Sequence, residues 1–269
     1  MRFFTLLFCL AATLLTAQSN PTKVITGTIL LNSKQCPDFN KIKAELPSNW
    51  YVRVDSSTIS DKTAVFSTPG ATVMLAYLDY PVNPDEISIA AGISWLWKDA
   101  AKETKGHKAQ LVISILGDES ATVELYRIFT RVAAGSLASI DNTPGVYMNN
   151  QYLLLSKGYY LESARNMGRD GLPVYCWVYF GILQGETNSG YTFGLSEFGH
   201  HELELVNVNM PLQDSHSLLY ELTQKAVTVP PFKNGQQVAL SDGKNVTITI
   251  SAAQLIRDGS QTAKVGIIK

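Results

Sequence analysis

Apolar and polar positions alternate with a strand period over much of this chain, and helical spacing interrupts that pattern at intervals. Val24 to Leu31 alternates as a strand, Pro37 to Leu46 has the spacing of a short helix, and Tyr51 to Val54, Thr63 to Phe66 and Ala71 to Leu78 read as further strands. The next segment carries three agreeing helix-start signals: Asn83 as N-cap, Pro84 at the first helical position and Glu86 where a capping box places its carboxylate. Lys102 and Lys105 suit the negative end of the helix dipole and Gly106 supplies a left-handed stop, so the spacing predicts one helix over 84–105. Ile87, Ala90, Ala91, Ser94 and Trp97 line one side of it and Ile89, Ile93, Leu96 and Ala100 another, which predicts burial on most sides.

Lys108 to Leu116 follows as a strand and Glu119 to Leu137 as a second long helix, with Glu124, Arg127 and Arg131 on its outer face. The turn cluster at 141–145 is the best internal boundary, followed by a short strand at Val146 to Asn149 and a helix at Leu155 to Asn166. Pro173 to Ile182 is apolar on both faces and reads as a central strand, with Tyr175, Trp177 and Tyr179 pointing one way. Ser189 to Phe198 and Glu202 to Val208 read as strands. A helix capped by Asp214 comes next, and the Asp242-Gly243 turn joins strands within Val238 to Ile250. Such irregular interleaving predicts an α+β fold, with a mixed, largely antiparallel sheet or sheets packed against four or five helices.

Before the first strand, Arg2, the apolar run Phe3 to Leu15 and Ala17 have the form of a secretory signal peptide at 1–17. The run is too short to cross a bilayer core of roughly 30 Å, and no later stretch reaches the ~20 apolar residues a membrane helix needs. The expectation is an exported chain, periplasmic or extracellular, without an integral membrane segment once the leader is removed. Residues 18–269 then form a single module with a sub-division near 141–145.

Charge narrows the partners. With 22 basic against 23 acidic residues the formal net charge is −1, so no basic field exists for nucleic acid. An oxidising compartment would permit Cys36 and Cys176 to pair, although Cys176 sits in an apolar run where a buried free thiol is the plainer reading.

Several motifs recur together: Trp95-Leu-Trp97-Lys-Asp-Ala with Gly106-His107-Lys108-Ala109, Gly145-Val146-Tyr147, Leu172-Pro173-Val174 leading to Trp177, Gly194-Leu195-Ser-Glu-Phe198-Gly199 with Glu202-Leu-Glu204, and Leu240-Ser-Asp242-Gly243. In this order, from about Val24 to Ile256, the chain resembles an uncharacterised bacterial family, domain of unknown function 4261. The resemblance implies a fold family without an established activity, so it transfers no catalytic roles. Where many of those relatives carry Lys-Pro, this chain has His200-His201.

Candidate chemistry is sparse. His201-Glu202-Leu-Glu204-Leu205 begins like a helical zinc-protease motif, but the fifth position is Leu and the segment alternates like a strand. Neighbouring strand residues face opposite ways, so His200 and His201 do not share an ion, and no metal site is expected. The Gly194 to Gly199 segment has one residue too many for a nucleophile elbow. Phosphate-loop and dinucleotide motifs are missing, and no cofactor is expected. His107, entering a strand after a helix end, and Glu202, paired with Glu204 on one strand face, are the weak catalytic candidates. Tyr175, Trp177 and Tyr179 are the ligand-binding candidates, because exposed aromatic rings stack on sugars and other flat apolar faces. Two function classes follow: an exported, non-enzymatic binding or interaction module with a protein or small-molecule partner in the cell envelope, or an unfamiliar enzyme, a hydrolase for instance, using His107 and Glu202.

Overall fold

The computed structural model describes residues 21–168 and 171–267, so the leader expected at 1–17 lies outside the described residues. The fold is α+β, built on two sheets. The first sheet is antiparallel throughout, with strand order β2-β3-β4-β5-β1-β6-β7. Its strands are β1 (Thr22–Leu31), β2 (Ser56–Ile59), β3 (Thr63–Thr68), β4 (Ala71–Leu78), β5 (Ala109–Asp118), β6 (Gly145–Met148) and β7 (Leu153–Ser156). Its centre is the ten-residue pairing of β1 with β5, from Thr22 opposite Asp118 to Leu31 opposite Ala109.

Side-chain alternation gives this sheet two buried faces. Ile29, Leu31, Val146 and Leu155 enter the main core, which holds α1 (Phe39–Asn49), α4 (Thr122–Ser139) and α5 (Lys157–Asn166). Leu30, Tyr147 and Leu154 enter a smaller core on the opposite face with Ile87, Ala90, Trp97 and Ala100. Those four residues come from α2 (Pro84–Ile93) and α3 (Ala100–Thr104) or the loop between them.

The single helix expected over 84–105 is therefore two. Asn83 caps α2 through the Asp85 N–H as the sequence predicts, but the helix stops at Ile93. Ser94 ends it by turning its hydroxyl to the Leu154 carbonyl on β7, at 2.7 Å. Nor is α2 buried on most sides: Ile87 and Ala90 face the core while Ile89 and Ile93 stand exposed.

The second sheet, ordered β11-β12-β13-β10-β9-β8, is antiparallel except where β10 runs parallel to β13. It comprises β8 (Tyr179–Leu183), β9 (Asn188–Phe193), β10 (Leu203–Val208), β11 (Gln237–Ala239), β12 (Asn245–Ala252) and β13 (Gln261–Ile267), with α6 (Leu212–Ala226) packed on β8, β9 and β10. The long strand expected over 173–182 is shorter. Val174–Cys176 is a 3-10 turn, set by Pro173 and closed by the Cys176 N–H on the Pro173 carbonyl, and only Tyr179 onward pairs as β8. An apolar run of this length reads as a strand by period alone, although burial without a ladder explains it equally well.

Trp177 joins the two sheets. It is fully buried, its indole Nε1 donates to Thr130 Oγ1 on α4 at 2.8 Å, and its ring packs against Tyr126 and Phe198. Lys23 at the start of β1 reaches the Leu195–Phe198 turn of the other sheet, contacting the Glu197 carboxylate at 2.9 Å and its carbonyl at 2.8 Å. Among the described residues no helix is long and apolar enough to cross a membrane.

Candidate functional site: an aromatic groove at a sheet edge

The 3-10 turn that replaces the expected strand separates its aromatic residues. Trp177 goes to the core and is unavailable to a ligand, whereas Tyr175 and Tyr179 stay partly exposed. They meet aromatic residues from two other elements. Trp95, in the loop behind α2, is half exposed at 49% and stands edge-on to Tyr175 at 5.8 Å and to His216 at 5.1 Å. His216, on the first turns of α6, lies parallel to Tyr175, with its Nε2 at 3.4 Å from the Tyr175 hydroxyl. Tyr220 stacks behind Tyr175 at 4.6 Å, and Phe180 fills the angle between them.

Trp95, Tyr179, Phe180 and His216 border a groove of about 600 Å³, within the size range of pockets that hold small ligands, and Tyr175 and Tyr220 pack behind these rings. Ile93 and Trp95 come from the end of α2, Tyr179, Phe180 and Ile182 from β8, and Leu212, Gln213 and His216 from α6. No charged side chain lines it. Burial lowers the His216 pKa below its ordinary value, which favours the neutral imidazole, and raises the phenols of Tyr175 and Tyr179 to about 12. The groove therefore presents aromatic faces and a few neutral polar groups. Trp95 and Tyr179 also border a hollow of about 10 Å³, about one water in size, against Tyr152 and β7. Tyr152 is held there in the left-handed conformation at φ 50°.

The catalytic candidates lie elsewhere. His107 is buried, with Nδ1 on the Thr104 carbonyl at 2.7 Å, so that nitrogen carries the proton, and Nε2 has no hydrogen-bond partner. Glu202 is buried as well, and its two oxygens accept from Thr192 Oγ1 at 2.8 Å and from the N–H groups of Gly194, Leu195 and Ser196 at 2.7 to 3.1 Å. The loop it holds turns on Gly194, whose φ of 119° and close Gln151 and Trp177 neighbours admit no side chain. Glu204 does the same for a second loop, accepting from the N–H groups of Gln254, Leu255 and Ile256 and from Thr262, with Lys264 at 3.2 Å. Glu204 lies on β10 and Glu202 just before its first residue, Leu203, so the two do not share a strand face as expected; both are buried and their carboxylates serve as loop clamps.

His200 and His201 diverge. His200 Nε2 meets the Val229 carbonyl and its ring stands edge-on to Phe232, while His201 Nδ1 meets the Gln261 carbonyl. Among the described residues no three His, Cys, Asp or Glu side chains converge. Cys36 and Cys176 are both free.

Reading the sequence alone missed Trp95 and His216 as site residues. The signal for Trp95 was present in its immediate neighbours, Gly92 and Ser94, which weaken the predicted helix just before an otherwise unexplained tryptophan. Comparison with models of known protein families, with curated proteins and with solved structures finds no match.

Proposed function

We propose that this chain is a non-enzymatic binding module of the cell envelope and that its ligand seat is the groove between α2, β8 and α6. One observation carries the reading: a half-exposed tryptophan, braced edge-on by Tyr175 and His216, borders a groove of about 600 Å³ that no charged residue lines. Exposed aromatic rings held rigidly by their neighbours bind at low entropic cost, because little motion is lost when the ligand arrives. The envelope location rests on the leader-like pattern of Met1 to Ala17 and is tested by mass spectrometry of the exported form, which should lack those residues.

Trp95 also makes the groove measurable. Trp50, Trp97 and Trp177 are buried, so a contact at the groove alters chiefly the emission of Trp95. Titration with uncharged peptides and neutral oligosaccharides should shift or quench that emission for one class, and Trp95→Ala should abolish the response while leaving the fold intact. An unchanged spectrum across both classes would overturn the reading.

A further inference from the structure

The groove has an unusual relation to β8. Successive strand residues point to opposite faces of a sheet, yet Tyr179 and Phe180 both border the same groove, and so does Ile182. A cavity that touches both faces of one strand runs along that strand's edge. β8 is the terminal strand of its sheet, paired only with β9 from Tyr179 opposite Phe193 to Leu183 opposite Ser189. Among the described residues, no hydrogen bond outside that ladder reaches the backbone of Tyr179–Leu183.

The other sheet ends are managed differently. β2 and β11 are only four and three residues long, and the β7 edge is covered where Ser94 donates to the Leu154 carbonyl. β8 has none of the usual protections: its five residues, Tyr-Phe-Gly-Ile-Leu, include no lysine, proline or charge. They expose roughly 17 Å of backbone edge. At Gly181 the Tyr191 ring of β9 lies where a side chain would stand, so that position admits none.

We infer that β8 accepts an extended peptide segment of a partner protein as an added strand, uncharged at the positions that enter the groove and apolar at alternate ones. Main-chain hydrogen bonds to the free edge supply affinity, and the aromatic groove beside it selects side chains. Charge complementarity fixes the class: the groove has no charged lining and a His216 that burial keeps neutral, so a charged side chain would be desolvated there without a partner. Leu183, at the end of β8, and Leu212, in the groove lining, are both exposed apolar residues. This rests on the groove being the ligand seat and adds the strand geometry.

The test uses capped decapeptides alternating Val or Phe with Ser and Thr, two versions N-methylated at one or the other alternate set of residues, and the neutral hexasaccharides of glucose and N-acetylglucosamine. Binding is read from Trp95 emission and from hydrogen exchange of the β8 amides. The unmodified peptides are expected to bind and to slow exchange at alternate β8 amides by tenfold or more. One N-methylated set should bind at least tenfold more weakly, and the other should match the unmodified peptide. Equal binding by both methylated sets, or binding of the saccharides alone, overturns strand addition and leaves the ligand seat standing. No response from any probe overturns both. A dimer by sedimentation whose β8 amides are already protected also overturns the inference, because a second copy then holds the edge.

Discussion

Tyr175 and His216 lie with their rings 4° from parallel and 5.7 Å apart at the centroids, and Trp95 stands nearly perpendicular to both. The three residues come from a 3-10 turn, a helix and a loop that are separated in sequence, so the groove exists only when both sheets are assembled. The shape of the groove is therefore tied to the stability of the fold, and the imidazole is the member of the trio that responds to pH.

Burial lowers the His216 pKa, so the folded protein takes up this proton less readily than the unfolded chain, whose histidines titrate near 6.5. Stability is accordingly complete above about pH 6.5 and falls as pH drops from there toward the folded pKa. His200 acts in the same direction, chiefly through burial, so His216→Phe should remove part of the slope and not all of it. Urea unfolding of both proteins between pH 5 and 8 checks this. Ligand affinity should fall over the same window, since a protonated His216 places an unpaired charge in the groove.

Glu202 is expected to matter for the fold. Glu202→Ala leaves the N–H groups of Gly194, Leu195 and Ser196 without acceptors, at about 1–3 kcal/mol for each donor that stays buried. With partial relaxation of the loop the loss should be about 3–5 kcal/mol by chemical denaturation. Glu202→Gln, which keeps one accepting oxygen, should lose less. The Leu195–Phe198 turn carries the Lys23 contact and Phe198, so Glu202→Ala should also loosen the junction between the sheets.

How much of this was legible follows from how far away each deciding contact lies. β4 is found residue for residue at 71–78, because its alternation and the Gly70 turn before it are local. The start of α2 is found for the same reason, through Asn83 and Pro84. Its end is missed because the group that stops it is a carbonyl 60 residues away. Trp177 looked like one of three aligned aromatics, and only the Pro173 turn and the Thr130 partner send it inward. The two carboxylates read as a pair on one strand face, but their loop partners lie up to 52 residues off and make them buried clamps. Tyr175 and Tyr179 were legible as aromatic residues that stay partly exposed; Trp95 and His216 join them only through long-range packing.

Glu204 predicts the acid limb of the stability curve. Burial alone would raise its pKa, but hydrogen bonds from Leu255, Gln254, Thr262 and Ile256 together outweigh it and hold the carboxyl below its ordinary value. The unfolded chain therefore binds this proton more readily. The stabilisation is present above the ordinary glutamate pKa of about 4.3 and disappears as pH falls through the folded value. Glu204→Gln should lower stability at pH 7 and flatten the loss below pH 4.5, as measured by denaturation across that range.

The thiols give a test that links location to packing. Export would place the chain where disulfides form, yet Cys36 and Cys176 are separate and free. Cys176 is fully buried and its pKa is raised to about 12, so it presents almost no thiolate at neutral pH. Cys36 is partly exposed, and its thiol donates to the Asp61 carbonyl at 3.2 Å, with a pKa that burial raises more modestly. A maleimide or disulfide probe should therefore label Cys36 slowly in the folded protein and leave Cys176 untouched. Unfolding without reductant should then release both as reactive thiols, identified by peptide mapping. Recovery of neither would mean that they had paired, which would require the Pro173 turn or the Cys36 loop to move from the positions described.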